Sequence, residues 1–366
     1  MKKFFAFFCT LALLSPFFLQ AQDEDEYQLI PGDGGLAYSV KVDGSMFAMT
    51  ATPDGNTLIV AVGDELLVLD FKTGALKKYL ELDDLAEIYF EERNLEEPSI
   101  GYVRSMEVLP NGKAFVTGGI GGIFLIGLDD FAVRWYAPGH EDPMGVQQGS
   151  TPETSAYRVR ATPDNQWIIS SSQDDTKLQF WSVADGSQGT TIETGLEEAV
   201  EDIALSPDGS RLAVCNHHFL INMTTSGQQL WKLPGMFEGF LQFSPDNSKL
   251  AFSRWGSKAT LCIGDTQTMA TDEGRRKIIY HRSGERARTN TGIVWSIDNA
   301  TLYTTGDGGT CPVLKHQLQA GSIQSTTIEA DFETEIDADK TIVLGVNETL
   351  LAVAGSDDEI RVYKLK

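Results

Sequence analysis

Hydrophobic and polar positions alternate over short runs, and the runs are separated by turn-forming clusters. The clearest example is Tyr157 to Gln188. Val159 to Ala161, Trp167 to Ser170 and Lys177 to Val183 carry the β-branched, aromatic and small side chains that suit a pleated surface. Thr162-Pro163-Asp164-Asn165, Gln173-Asp174-Asp175-Thr176 and Asp185-Gly186 reverse the chain between and after them. Proline presets φ at the second turn position, and Asp or Asn caps its own backbone or takes positive φ. The pattern predicts three short antiparallel strands that are apolar on both sides. Such a unit cannot bury both faces alone, so it needs neighbours of its own kind.

Those neighbours are in the chain. Related turns stand at Pro53-Asp54-Gly55, Pro110-Asn111-Gly112, Pro207-Asp208-Gly209 and Pro245-Asp246-Asn247, with weaker versions at Ile297-Asp298-Asn299 and Val346-Asn347-Glu348. With Pro163 there are seven copies, spaced roughly 40 to 55 residues apart, near the period of a four-stranded propeller blade. Leu36 to Val42 alternates but has no partner in its own copy, and the last copy stops after its third strand. The expected architecture is an all-β, seven-bladed β-propeller of four-stranded antiparallel blades, its ring closed by the N-terminal strand. No Pro/Ser/Gly-rich linker divides residues 36–366, so one domain is expected there, after an acidic leader at 22–35.

The repeat resembles the WD40 family of β-propellers. The likeness rests on Phe180-Trp181, on Ser206-Pro207-Asp208-Gly209, and on the ending Gly355-Ser356-Asp357-Asp358-Glu359-Ile360-Arg361-Val362-Tyr363. It is degenerate: no copy carries the Gly-His before its first strand, and only Trp181 holds the tryptophan position. The resemblance implies that the Pro-Asp-Gly turns share one face, here called the bottom. The second-to-third-strand turns and the loops between blades share the other, the top.

Three insertions map to the top rim. Leu82 to Pro98 shows helical spacing at Leu82, Leu85, Ala86 and Tyr89, with Asp83 or Asp84 placed to cap and Pro98 to stop it. Ala137 to Ala156 and Ser283 to Gly292 are the others. Long loops on a rigid scaffold are where binding concentrates. The candidate partner-binding residues are therefore Tyr89, Glu91, Glu92, His140, Arg254, Trp255, Arg286 and Arg288. Trp255 beside Arg254 has the make-up of an interface anchor, or alternatively packs over a neighbouring blade.

At the N-terminus, Lys2 and Lys3 precede the apolar run Phe4 to Leu19, and Leu19-Gln20-Ala21 offers a cleavage site. That is the grammar of a secretory signal peptide over residues 1–21, which implies a periplasmic or secreted protein with no membrane span after cleavage. The whole chain carries a net charge of −23. Loss of Lys2 and Lys3 leaves 27 basic residues against 52 acidic ones, hence −25. Such a field repels phosphate backbones, so a protein partner is expected and nucleic acid is not.

Candidate chemistry is sparse. No nucleophile elbow, zincin helix, Walker loop or dinucleotide fingerprint occurs, and no cofactor is expected. His140, His217 and His218 with Asp174 or Asp175 could hold a metal, but the spacing is not that of a metal site. Asp64, Asp174, Asp175, Asp307, Asp357 and Asp358 recur in top turns, where a carboxylate bonding its own backbone explains them better than a cation does. Cys215 and Cys262 fall in apolar strands of neighbouring copies, either as buried thiols or as a bridge, and Cys311 stands in a reversal. Thr225 to Trp231 is similar to a docking motif of quinoprotein propellers. Two functions remain: a non-enzymatic scaffold binding protein through its top loops, or a lactonase-like or sugar-acting hydrolase at the channel mouth. Carboxylates and histidines converging at the mouth would favour the second.

Overall fold

The computed structural model describes residues 27–44, 46–96, 98–141, 154–173, 175–237, 239–254, 261–281, 290–306, 313–329, 341–355 and 358–365. Seven antiparallel sheets are arranged as the blades of a propeller, and His140–Glu141 pairs with Thr154–Ser155 in a separate two-stranded ribbon between blades 2 and 3. Blade 1 is Met46–Ala51, Thr57–Val62, Glu65–Asp70 and Leu76–Glu81, and blade 2 is Val103–Val108, Ala114–Gly119, Gly122–Gly127 and Val133–Ala137. Blade 3 is Arg158–Ala161, Trp167–Ser171, Lys177–Ser182 and Gln188–Glu193, and blade 4 is Asp202–Leu205, Arg211–Cys215, Phe219–Thr224 and Gln229–Pro234. Blade 5 is Gln242–Phe243, Lys249–Ser253, Leu261–Asp265 and Ile279–His281, and blade 6 is Asn290–Trp295, Thr301–Gly306, Val313–Gln319 and Ser322–Glu329.

Blade 7 holds strands from both ends of the chain. Ile342–Leu344, Leu350–Ala354 and Glu359–Lys364 are followed by Leu36–Val42, whose Val40 lies opposite Ile360. Outside that, Tyr27–Pro31 adds a fifth strand, with Leu29 opposite Val40. The leader expected at 22–35 is thus partly structured: its second half pairs because Leu36–Val42 would otherwise present a bare edge.

Apolar clusters fill the seams between blades. Leu58, Leu67 and Phe71 of blade 1 meet Val40, Ile360 and Val362 of blade 7, while Ile59 and Val68 meet Val103, Phe115 and Phe124 of blade 2. The innermost strand of each blade is a sheet edge, and its backbone N–H groups need acceptors. Side chains of the preceding blade supply several. Thr50 Oγ1 accepts from Val108 N at 3.2 Å, Ser105 Oγ from Val159 N at 3.0 Å, Asp202 Oδ2 from Leu241 N at 2.7 Å and Gln242 Oε1 from Trp295 N at 3.1 Å.

At the periphery, outer-strand aromatics fasten three of the blades to the next. Tyr38 Oη donates to Phe71 O at 2.8 Å, Trp135 Nε1 to Val183 O at 2.8 Å and Trp231 Nε1 to Thr266 O at 2.9 Å. Gly186 has φ 71°, and a Cβ there would lie 2.8 Å from the Trp135 ring, so glycine is required twice over. Trp231, from the segment similar to a quinoprotein docking motif, is one of these fasteners.

Four of the seven bottom turns carry the same small network. In blade 5, Ser244 Oγ donates to Asp246 Oδ1 at 2.7 Å, Asp246 Oδ1 accepts from Ser248 N at 3.0 Å, and Lys249 N donates back to Ser244 Oγ at 2.9 Å. Thr52 with Asp54, Thr162 with Asp164 and Ser206 with Asp208 repeat it. A hydroxyl two residues ahead of an aspartate satisfies the turn backbone that proline presets. Among the described residues no helix is long and apolar enough to cross a membrane.

Candidate functional site

Helix α1 (Leu82–Arg93) rises between blades 1 and 2. Leu82, Ala86 and Phe90 are buried, and Phe90 meets Tyr136 edge-on at 5.0 Å between ring centroids. No side chain caps the helix. Its N-cap is Glu81, and Leu82 N donates to Asp64 O at 3.0 Å, so Asp83 and Asp84 sit in the first turn instead of capping. It ends at Asn94 in the left-handed region, φ 52°, four residues before Pro98, because Asn tolerates the conformation that closes a helix.

Tyr89, Glu91 and Glu92 share this helix. The Tyr89 ring is half-buried, edge-on to Phe90 at 5.3 Å, with the Arg93 guanidinium carbon 3.9 Å from its centroid. Glu91 and Glu92 are exposed, and Glu92 Oε2 is 3.5 Å from Arg93. Around them stand apolar side chains that the phase of Leu82, Leu85, Ala86 and Tyr89 did not single out: Ile88, Leu95 and Tyr102 are each half-exposed or more. The signal was present in the sequence as an isoleucine out of step with the buried stripe.

His140 corrects the expectation of a solvent-facing rim histidine. Its side chain is fully buried, with Nδ1 2.9 Å from Asp175 Oδ2 and Nε2 2.9 Å from Ser170 Oγ. Trp181 Nε1 donates to the same Ser170 Oγ at 2.8 Å. Gly139-His140 is thus a Gly-His pair ahead of the first strand of blade 3, against the expectation that no copy carries one. Residues 141–157 separate it from Arg158, which hid the relation. Blade 6 builds a related pair from different residues. His316 lies opposite Leu302, as Trp181 lies opposite Ile168, and its Nε2 is 2.8 Å from Thr304 Oγ1. His316 Nδ1 is 2.8 Å from Ser325 Oγ, which is 3.1 Å from His281 Nε2 of blade 5. Burial, and then the neighbouring His281, pushes the His316 imidazole down to about 3.

Arg254 is half-exposed in blade 5, bridged through its backbone to Phe237 and remote from α1 around the ring. The two regions do not form one site. Trp255, Arg286 and Arg288 lie outside the described residues, as do Asp174, Asp307, Asp357, Cys311 and the signal-like N-terminus. His217 and His218 part toward different acids, Glu201 at 3.4 Å and Glu198 at 3.3 Å. Among the described residues no three metal-ligating side chains converge. Cys215 and Cys262 are buried free thiols, which removes the bridge, and burial drives the Cys262 thiol up to about 12.

A cavity of about 390 Å3 opens at the bottom of the central channel, where Pro110, Pro163 and Pro207 meet Arg160, Asp202 and Phe240. Arg158 Nε and Arg160 Nη2 lie 3.3 and 3.2 Å from the same oxygen of Asp202, and its other oxygen accepts from Leu241 N. This carboxylate joins blades 3, 4 and 5 and is fully occupied in doing so. No family model matches the chain, and no curated protein matches it.

Proposed function

We propose that the protein is an exported, non-enzymatic scaffold of WD40-like kind that holds another protein on its top rim, chiefly at α1. The observation that carries this is the composition of that helix's outer side. Ile88, Leu95 and Tyr102 stand among the exposed acids Asp84, Glu87, Glu91, Glu92 and Glu96, on an element whose inner side is locked into the core. Aliphatic and aromatic anchors among charges that are mainly acidic, with Arg93 and Arg104 the exceptions, suit a basic protein surface, the charges guiding encounter and the apolar groups supplying affinity. The hydrolase reading draws no such support, since the channel carboxylate Asp202 is tied between two arginines and a backbone N–H. Export rests on Lys2, Lys3 and the apolar run to Leu19.

The test is affinity purification of the mature protein from its native envelope or culture medium, followed by mass spectrometry. A partner recovered with the wild type should be lost with Glu91→Lys, Glu92→Lys, Glu96→Lys in combination, and again with Ile88→Asp. Recovery of the same partner by both variants would remove α1 from the interface.

A further inference from the structure

Five of the seven bottom turns place proline at their second position, at Pro53, Pro110, Pro163, Pro207 and Pro245. Proline there has a local reason, because its fixed φ is that of the turn. Blades 6 and 7 place Ile297 and Val346 at the same position. A β-branched side chain does nothing for a turn of this kind, yet Ile297 is 77% exposed and Val346 54% exposed. Exposure of large aliphatic groups without a local reason marks a contact surface.

The turns are neighbours. Ile297 N donates to Glu348 Oε1 at 2.5 Å, which ties blade 6 to blade 7, and a Cβ on Gly55 would lie 3.3 Å from Val346 Cβ, which ties blade 7 to blade 1. Asp246 N donates to Asn299 Oδ1 at 2.8 Å between blades 5 and 6, and Asn111 N to Asn165 Oδ1 at 2.9 Å between blades 2 and 3. Three of the second-position residues, Pro110, Pro163 and Pro207, line the cavity of about 390 Å3 with Phe240 and Ile293, and Ile297 and Val346 stand on the turns that continue this ring. The same turns carry Asp54, Asp164, Asp208, Asp246, Asp298 and Glu348, against Lys113, Arg211 and Lys249, with Lys77 Nζ donating to Asn56 O of the blade 1 turn at 2.8 Å. Hydrogen bonds within the turns hold the Asp54, Asp208, Asp246 and Asp298 carboxyls below the usual carboxylate range, and the whole chain is strongly acidic.

We infer that the bottom mouth is a second docking surface, taking a basic polypeptide segment of another protein whose aliphatic tip seats on Ile297, Val346 and the cavity wall. Charge complementarity selects this occupant. A second copy would bring an equally acidic rim face to face with this one, and an anionic lipid surface would be repelled in the same way. The surface lies on the opposite face of the ring from α1, so the two contacts are independent and one can fail without the other.

The probe is a fluorescein-labelled synthetic peptide, Arg-Lys-Gly-Leu-Leu-Gly-Lys-Arg, titrated by fluorescence anisotropy into the mature protein. Saturable binding with one peptide per chain is expected, weakening as salt rises from about 50 to about 500 mM. Ile297→Asn with Val346→Asn should weaken it about tenfold or more, while Ile88→Asn with Leu95→Asn on the top rim should leave it within about twofold. Circular-dichroism melts establish that each variant is folded, and Ile297→Ser with Val346→Ser replaces the asparagine pair if that pair unfolds the protein. Non-saturable binding, or equal losses in the top and bottom variants, would overturn the inference. So would a dimer seen by light scattering that the bottom variants dissolve, which would make a second copy the occupant.

Discussion

Asp246 shows what one side chain does in this fold. Its carboxyl is held down to about 2, first by the Ser244 hydroxyl and, against an opposing effect of burial, by the Ser248 backbone and hydroxyl. Asp54 is lowered in the same way, led by Thr52, and in Asp208 and Asp298 the hydrogen bonds outweigh a burial effect that pulls upward. A carboxyl whose folded pKa lies below its unfolded one stabilises the fold fully above the unfolded value, near 4, and loses that contribution as pH falls through the folded value. Denaturant titrations should therefore show stability dropping between about pH 4 and pH 2, and Asp246→Asn should shrink the drop while costing about 1 kcal/mol at neutral pH. An unchanged profile in Asp246→Asn would remove the turn from the acid transition. These turns were legible in the sequence because their chemistry is confined to four or five consecutive residues. His140 was not, because its partners Ser170 and Asp175 lie 30 and 35 residues away and only folding reveals them. Trp181→Phe, which deletes the hydrogen bond to Ser170 and part of the ring, should cost roughly 1–3 kcal/mol in urea unfolding.

Among the elements, the seam between blades 5 and 6 stands out for its chemistry. His316 is neutral in the folded protein and readily protonated in the unfolded chain, its folded value being depressed by burial first and by His281 second. Stability from this group is complete above the unfolded value near 6.5 and is lost as pH falls from there toward about 3, up to roughly 4 kcal/mol. Stability measured between pH 7 and pH 4 should slope downward in the wild type and flatten in His316→Gln, and equal slopes would exclude the seam. At the other seam, Tyr38→Phe removes the bond to Phe71 O and should cost about 1 kcal/mol, while deletion of residues 27–43 should lower the melting midpoint by more than about 10 °C or leave the protein insoluble. Strand content was readable wherever alternation ran between turns. Tyr27–Pro31 was not, because its neighbours are acidic and its last residue is proline, a composition that reads as a leader until an edge is found for it to cover. Helix α1 was readable as a helix, though not its outward face, since periodicity reports what is buried and leaves the exposed residues undetermined.

At the scale of the whole molecule, two opposite faces carry unexplained aliphatic exposure, and only one of them was expected. The top rim was legible because insertions are visible as departures from a repeat. The bottom mouth was not, since Ile297 and Val346 looked like imperfect copies of a turn until their surroundings were known. If the top rim binds through charge-guided contact, partner association measured by stopped flow should slow with added salt more than dissociation does, and a salt-insensitive on-rate would argue against it. The sharing of one sheet between residues near both ends of the chain has a further consequence, for biosynthesis. Until Glu359–Lys364 has been made, Leu36–Val42 has no place to go, and the nascent chain is an arc with two naked borders. Closure is thus withheld until Glu359–Lys364 has been made. A product truncated before that strand is left sticky and exposed to proteolysis.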